Sequence, residues 1–249
     1  MRTVIKTSIS SFLVSVLLAF SPAIAADSSF KTHNPDGNKY EFGRAYISAL
    51  GYFYASDQRW IKMPPKKKFK GDDNKIILGT MEYLVQDNAD LRVAKNYMVR
   101  YLGMPNPLMR KVADMMIVVC DNEINLNNKA KFLWQDWLNL KALGKPSSDQ
   151  EKLFIKAQRE VEVKRKDYDK QLIQATVLMT KVLLSQENAD DKGHLLAITD
   201  KERDRLQGYL DRYGKEMLDW GLKPGQTALK ASVSVIREVL EDPVFTTRK

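Results

Sequence analysis

The chain has 249 residues, a formal net charge of +9, two histidines and one cysteine. One cysteine excludes an internal disulfide, so stability must come from packing. No haem-attachment CxxCH, HExxH, GxSxG or Walker loop occurs, which removes the enzyme classes that carry those motifs.

The N-terminus reads as an address. Arg2 and Lys6 precede the apolar run Phe12–Phe20, followed by Pro22 and the small residues Ala23 and Ala25. The run is far shorter than the ~20 residues of a membrane-spanning helix. A charged start, a short apolar core and an A-x-A site together predict a secretory signal peptide over 1–25, cut after Ala25. The mature chain, 26–249, is expected to be soluble and exported, either periplasmic or secreted.

The pattern of the mature chain predicts an all-α multi-helix bundle. Gly is sparse, no alternating pattern persists, and apolar residues recur every three or four positions. A first helix is expected from a cap at Asp36 to about Trp60, with Pro64 and Pro65 placing the next stretch in a loop. A second is expected from Asp73 through Leu84. A third covers Leu91 to Leu102 and stops at Gly103 and Pro105. These would form an N-terminal helical part, 36–103, packed on a C-terminal bundle, 106–242, within one domain.

Two long segments then predict an antiparallel hairpin, about 107–143 and 149–186. Asn106 caps the first helix with Pro107 at its opening position. Its inward stripe is Val112, Met116, Val119, Glu123, Leu126, Ala130, Leu133, Trp137 and Leu140, ending at Gly144. The return helix opens with a capping box from Ser148 to Glu151. A second box, Thr199 to Glu202, opens a helix with Leu206, Tyr209, Tyr213, Met217 and Trp220 facing inward. The last helix spans about Thr227 to Leu240 and ends at Pro243.

Three features are candidate sites. Asp121, Glu123, Asn125 and Asn127 alternate like calcium-loop ligands, but Leu126 replaces the required Gly and Phe132 the closing Glu. A polar layer in a continuous helix fits better. Folding the hairpin about Lys145–Pro146 sets Glu123 opposite Tyr168 and Leu126 opposite Arg165, which predicts a pair of Glu123 with Arg165 or Lys164, joined by the Tyr168 hydroxyl. Cys120, at the end of an apolar run, is expected to be a buried thiol.

The second feature is the basic loop "RWIKMPPKKKFK". Trp60, Lys62, Lys66, Lys67, Lys68 and Lys70 combine cations with an aromatic ring, which suits an anionic membrane surface or a cell-wall polymer. Nucleic acid fits an exported chain poorly. The third is the aromatic first helix, whose Tyr40, Phe42, Tyr46, Tyr52, Phe53, Tyr54 and Trp60 point all round its axis. That pattern predicts a helix packed on several sides, with close approach at Gly43 and Gly51.

Neither His33 nor His194 is placed with a nucleophile, and Asp190, Asp191 and His194 make only a weak metal set. No catalytic residue, cofactor or metal is assigned. The sequence favours an exported binding or adaptor protein whose partner is another envelope or secretion-related protein. The alternatives are a binder of anionic lipid or envelope polysaccharide through Lys62–Lys70, and an envelope hydrolase using a buried carboxylate such as Glu123.

Overall fold

A computed structural model describes residues 38–62, 73–188 and 194–246, without the side chains of 56–62 and 73. Residues 1–25, where a signal peptide is expected, and Lys66, Lys67, Lys68 and Lys70 lie outside the described residues. The described chain is an all-α bundle: α1 (Lys39–Lys62), α2 (Asp73–Val99), α3 (Pro107–Leu143), α4 (Ser148–Leu184), α5 (Asp200–Leu222), α6 (Gln226–Glu241) and α7 (Pro243–Thr246).

Local chemistry sets most of these bounds. At the start of α1, Asn38 Oδ1 accepts from the Tyr40 N–H at 2.7 Å; Asp36, the expected cap, lies outside the described residues. Asn106 Oδ1 accepts from the N–H groups of Leu108 and Met109, at 2.9 and 3.1 Å, and Pro107 follows it as the first residue of α3. α3 closes at Gly144, whose φ of 142° is a conformation that favours glycine. The box on α4 falls one residue earlier than expected: Ser147 N–H donates to Gln150 Oε1 at 2.8 Å, and Gln150 N–H to Ser147 Oγ at 3.3 Å. On α5 the box is Thr199 with Glu202, at 2.8 and 3.3 Å. Pro243 ends α6 and also opens the short α7, where Val244 N–H donates to Asp242 Oδ1 at 3.0 Å.

One expectation fails outright. The predicted break between Leu84 and Leu91 does not exist, and α2 runs unbroken for 27 residues. The polar stretch "QDNAD" stays helical because Asp87 and Asn88 point inward and find partners on α3. A single buried stripe passes through it: Ile77, Thr80, Leu84, Asp87, Leu91, Ala94 and Met98. Leu102, assigned to that face, lies beyond the helix and is exposed.

α2, α3 and α4 run alternately up and down. Lys141 Nζ donates to Asn74 Oδ1 at 3.0 Å near one end, and Lys95 Nζ to Asp121 at 2.7 Å towards the other end of α2, so α2 and α3 are antiparallel. Trp137 stacks on Phe154 with ring centroids 4.6 Å apart, fixing the same relation between α3 and α4. Each of those two helices has 37 residues, or about 55 Å at 1.5 Å per residue.

The core lies at the end opposite the hairpin turn. There α1 packs against α2, α4 and α6. Phe42 meets Tyr101 at 4.7 Å, Tyr46 Oη shares a 2.8 Å hydrogen bond with Thr176 Oγ1, and Tyr40 stacks on Phe245 at 4.9 Å. Tyr52 and Phe53 are half-buried against the same core. A Cβ at Gly43 would sit 3.0 Å from Leu240 and 3.1 Å from Leu183, so a side chain there would crowd α4 and α6. Gly51 has no such neighbour and is exposed. Lys39 is buried, and its ammonium donates to the Ser185 carbonyl at the C-terminal end of α4, where the helix dipole favours a cation. No described helix is long and apolar enough to cross a membrane.

Candidate functional site

Halfway along the hairpin, three helices contribute to one polar layer. Asn127 of α3, fully buried, is its hub. Its Nδ2 donates to Asp87 Oδ2 at 2.5 Å and to Asn88 Oδ1 at 3.1 Å, and its Oδ1 accepts from Arg165 Nη2 at 2.7 Å. Asn88 Nδ2 then donates to Asn128 Oδ1 at 2.9 Å. Arg165 Nε lies 3.5 Å from Glu123 Oε2. The structure thus places Glu123 against Arg165. Lys164 is exposed, and Tyr168 is half-buried, as Arg165 itself is.

Electrostatics in the layer are uneven. Burial works against the Arg165 charge, but Glu123, Tyr83, Asp87 and Asp169 around it outweigh that effect and raise its pKa. Asp169, half-buried one turn further along α4, is pushed up to about 6, because burial costs its carboxylate more than Arg165 returns.

A folded-state pKa above the unfolded value means that this group favours folding while protonated. That contribution is complete below about pH 4, the unfolded range of aspartate, and is lost as pH rises through about 6. Asp169→Asn is therefore expected to raise stability at pH 7 by about 2–3 kcal/mol and leave it nearly unchanged at pH 4. Urea denaturation at the two pH values checks this; equal effects at both would refute it.

The layer is a poor place for chemistry, since its polar atoms are engaged with one another. Two surface clefts, of about 390 and 270 Å³, lie away from Glu123, one along α5 and the other between α3, α4 and the end of α5. Cys120 is completely buried, and its thiol is held far above the ordinary range by burial, reinforced by Asp121. Helix α3 is continuous through Asp121–Asn128, which removes the calcium-loop geometry. Asp190 and Asp191 lie outside the described residues, and no metal-binding cluster occurs among those described.

The far half of the hairpin has a different surface. From about Asn128 onward the α3 stripe is half-buried: Ala130, Leu133, Trp137 and Leu140 are each partly open to solvent. Trp134 and Trp137 enclose Phe154 of α4, with centroids 5.0 and 4.6 Å away. At the same end of the hairpin, on other helix faces, Phe132 is 71 % exposed, Leu143 89 % and Leu153 67 %. Other large apolar side chains, Leu195, Leu218 and Leu222 among them, are exposed elsewhere on the molecule; the far end of the hairpin differs in carrying the half-buried aromatic cluster as well. Trp60 and Lys62 belong to the last turn of α1, whose side chains are not described.

Comparison with protein-family models, with curated proteins and with solved structures returns no match to this chain. Its surfaces must therefore be read on their chemistry.

The sequence pattern alone did not single out Asp87, Asn88 and Asn127 as a cluster. A signal was present: Asn127 stands four residues after Glu123, on the same helix face. Asp87 likewise keeps the three-and-four spacing of an unbroken apolar stripe.

Proposed function

We propose that the chain is an exported binding or adaptor protein that holds a helical partner, another envelope or secretion-related protein, at the far end of the α3–α4 hairpin. The supporting observation is the half-buried aromatic cluster Trp134–Trp137–Phe154 at a hairpin end that also exposes Phe132, Leu143 and Leu153. Buried aromatic anchors ringed by polar residues carry most of the energy in protein interfaces. The polar layer below it fixes the register of three helices and so presents that end as a stiff unit.

The triple replacement Phe132→Ser, Leu143→Ser and Leu153→Ser tests this reading. These side chains are exposed, so folding is expected to persist while salt-insensitive co-purification with a single envelope protein disappears. A variant that retains that partner at wild-type yield contradicts the proposal.

A second reading, attachment to anionic lipid or envelope polymer through Lys62–Lys70, has one favourable observation. Helix α2 begins at Asp73, next to Asn74, which is bonded to Lys141 at the hairpin's far end. This reading predicts sedimentation with anionic liposomes that salt suppresses and that replacement of Lys66, Lys67 and Lys68 by Glu abolishes. Sedimentation unaffected by either would exclude it. The hydrolase reading gains no support, because the Glu123 carboxylate is engaged by Arg165.

A further inference from the structure

A separate surface lies on α5, at the opposite end of the molecule from the hairpin turn. Lys201, Arg205, Gly208 and Arg212 follow at intervals of four, three and four residues, which places them on one helical face. They line an open cleft of about 390 Å³ whose one acidic wall residue is Asp204.

Both arginines are held in place from behind. Arg205 Nε lies 2.9 Å from Asp242 Oδ2; the Asp242 side chain is only 6 % exposed. Asp242 is itself fixed by the Tyr209 hydroxyl at 3.2 Å and the Val244 N–H at 3.0 Å. Arg212 Nη1 lies 3.3 Å from Glu238 Oε2, and its guanidinium sits 5.6 and 5.5 Å over the rings of Tyr209 and Tyr213. Tyr213 steadies Glu238 in turn, its hydroxyl donating at 2.9 Å. One edge of each guanidinium is thus spent on positioning. Neither arginine pairs with a second carboxylate, and Lys201 with none, among the described residues. Gly208 leaves the floor open, for a Cβ there would meet nothing within 4 Å.

We infer that this face binds an acidic helix of a partner protein. The three cations span eleven residue steps, about 16 Å along the axis, too far for one small anion to touch all of them. A helix carrying carboxylates on one face repeats the same rise and can meet each cation in turn. Arginines oriented by a rigid backing offer a planar fork, which carboxylates accept with two parallel hydrogen bonds. Asp204 in the same wall repels a uniform polyanion and favours a helix with one basic residue among its acids. The inference extends the binding reading proposed for the hairpin and rests on it.

The test is calorimetric titration of the full mature chain with a 20-residue helical Ala/Glu peptide containing one Lys. Controls are the same peptide with Gln for Glu, and inorganic phosphate. Saturable one-to-one binding of the Glu peptide is expected, weakened about tenfold or more by Arg212→Gln and by Gly208→Leu. Gly208→Leu puts an apolar side chain into the cleft at an exposed position where a Cβ meets nothing within 4 Å, and it improves helix propensity, so its thermal midpoint should not fall. Equal binding of the Gln peptide, unchanged affinity in both variants, or phosphate binding as tightly as the peptide would each overturn the inference. If the peptide fails while the Phe132/Leu143/Leu153 variant still loses its partner, this site falls and the hairpin reading stands.

Discussion

Phe42→Ala is expected to destabilise the protein by about 3–5 kcal/mol, the usual cost of emptying a fully enclosed aromatic site. Phe42 is completely buried and packs against Tyr101 where α1 meets the end of α2. Its neighbours cannot close the gap easily. Gly43, the next residue, already brings α1 within contact distance of Leu183 on α4 and Leu240 on α6. The comparison that gives the result meaning is Phe132→Ala at the hairpin's far end, where the ring is mostly in solvent and the loss should stay within about 0.5 kcal/mol. Guanidinium denaturation of both variants separates them. Similar losses would mean that the core end and the far end of the hairpin are buried alike, contrary to the structure.

The second large effect concerns the polar layer. Arg165→Met removes the cation that faces Glu123 and the donor that reaches Asn127, leaving acids at the layer without their counter-charge. Breaking a fully buried pair costs about 3–5 kcal/mol; the Arg165 side chain keeps 31 % exposure, so about 2–3 kcal/mol is expected. Glu123→Gln, added to it, should recover part of that loss, because a neutral amide tolerates burial that a lone carboxylate does not. The expected coupling between the two substitutions is about 1–2 kcal/mol. Strict additivity in a double-mutant cycle would show that the two groups are near neighbours with no energetic bearing on each other.

The hairpin was legible because its ends carry local chemistry that needs no partner. Asn106 with Pro107 opens α3, and Gly144 closes it in a conformation that other residues avoid. The one-residue shift of the box on α4 has an equally local cause. The run "SSDQE" offers Ser147 with Gln150 and Ser148 with Glu151, and both pairs satisfy the same rule.

The continuity of α2 was hidden for a different reason. Asp and Asn in a row favour turns when nothing answers them. Here Asn127, some forty residues away on α3, answers them, and that pairing is tertiary information. The same limit applies to the hairpin's far half. Spacing marked Leu133, Trp137 and Leu140 as inward, but periodicity gives a direction without saying how much protein lies there. The α5 face was harder still, since its cations come from "DKERDRLQGYLDR", where acids and bases alternate and only the fold shows which are engaged.

Site-specific photo-cross-linking in intact cells tests the central claim, that partner recognition occurs at the far end of the α3–α4 hairpin. A cross-linking residue at Leu143, 89 % exposed beside the turn, would be compared with one at Leu102, 43 % exposed at the opposite end of the bundle. A single discrete adduct from position 143, absent from position 102 and lost when Phe132 and Leu153 are changed to Ser, is the predicted result. Adducts of the same mass and yield from both positions, or none from position 143, would contradict it.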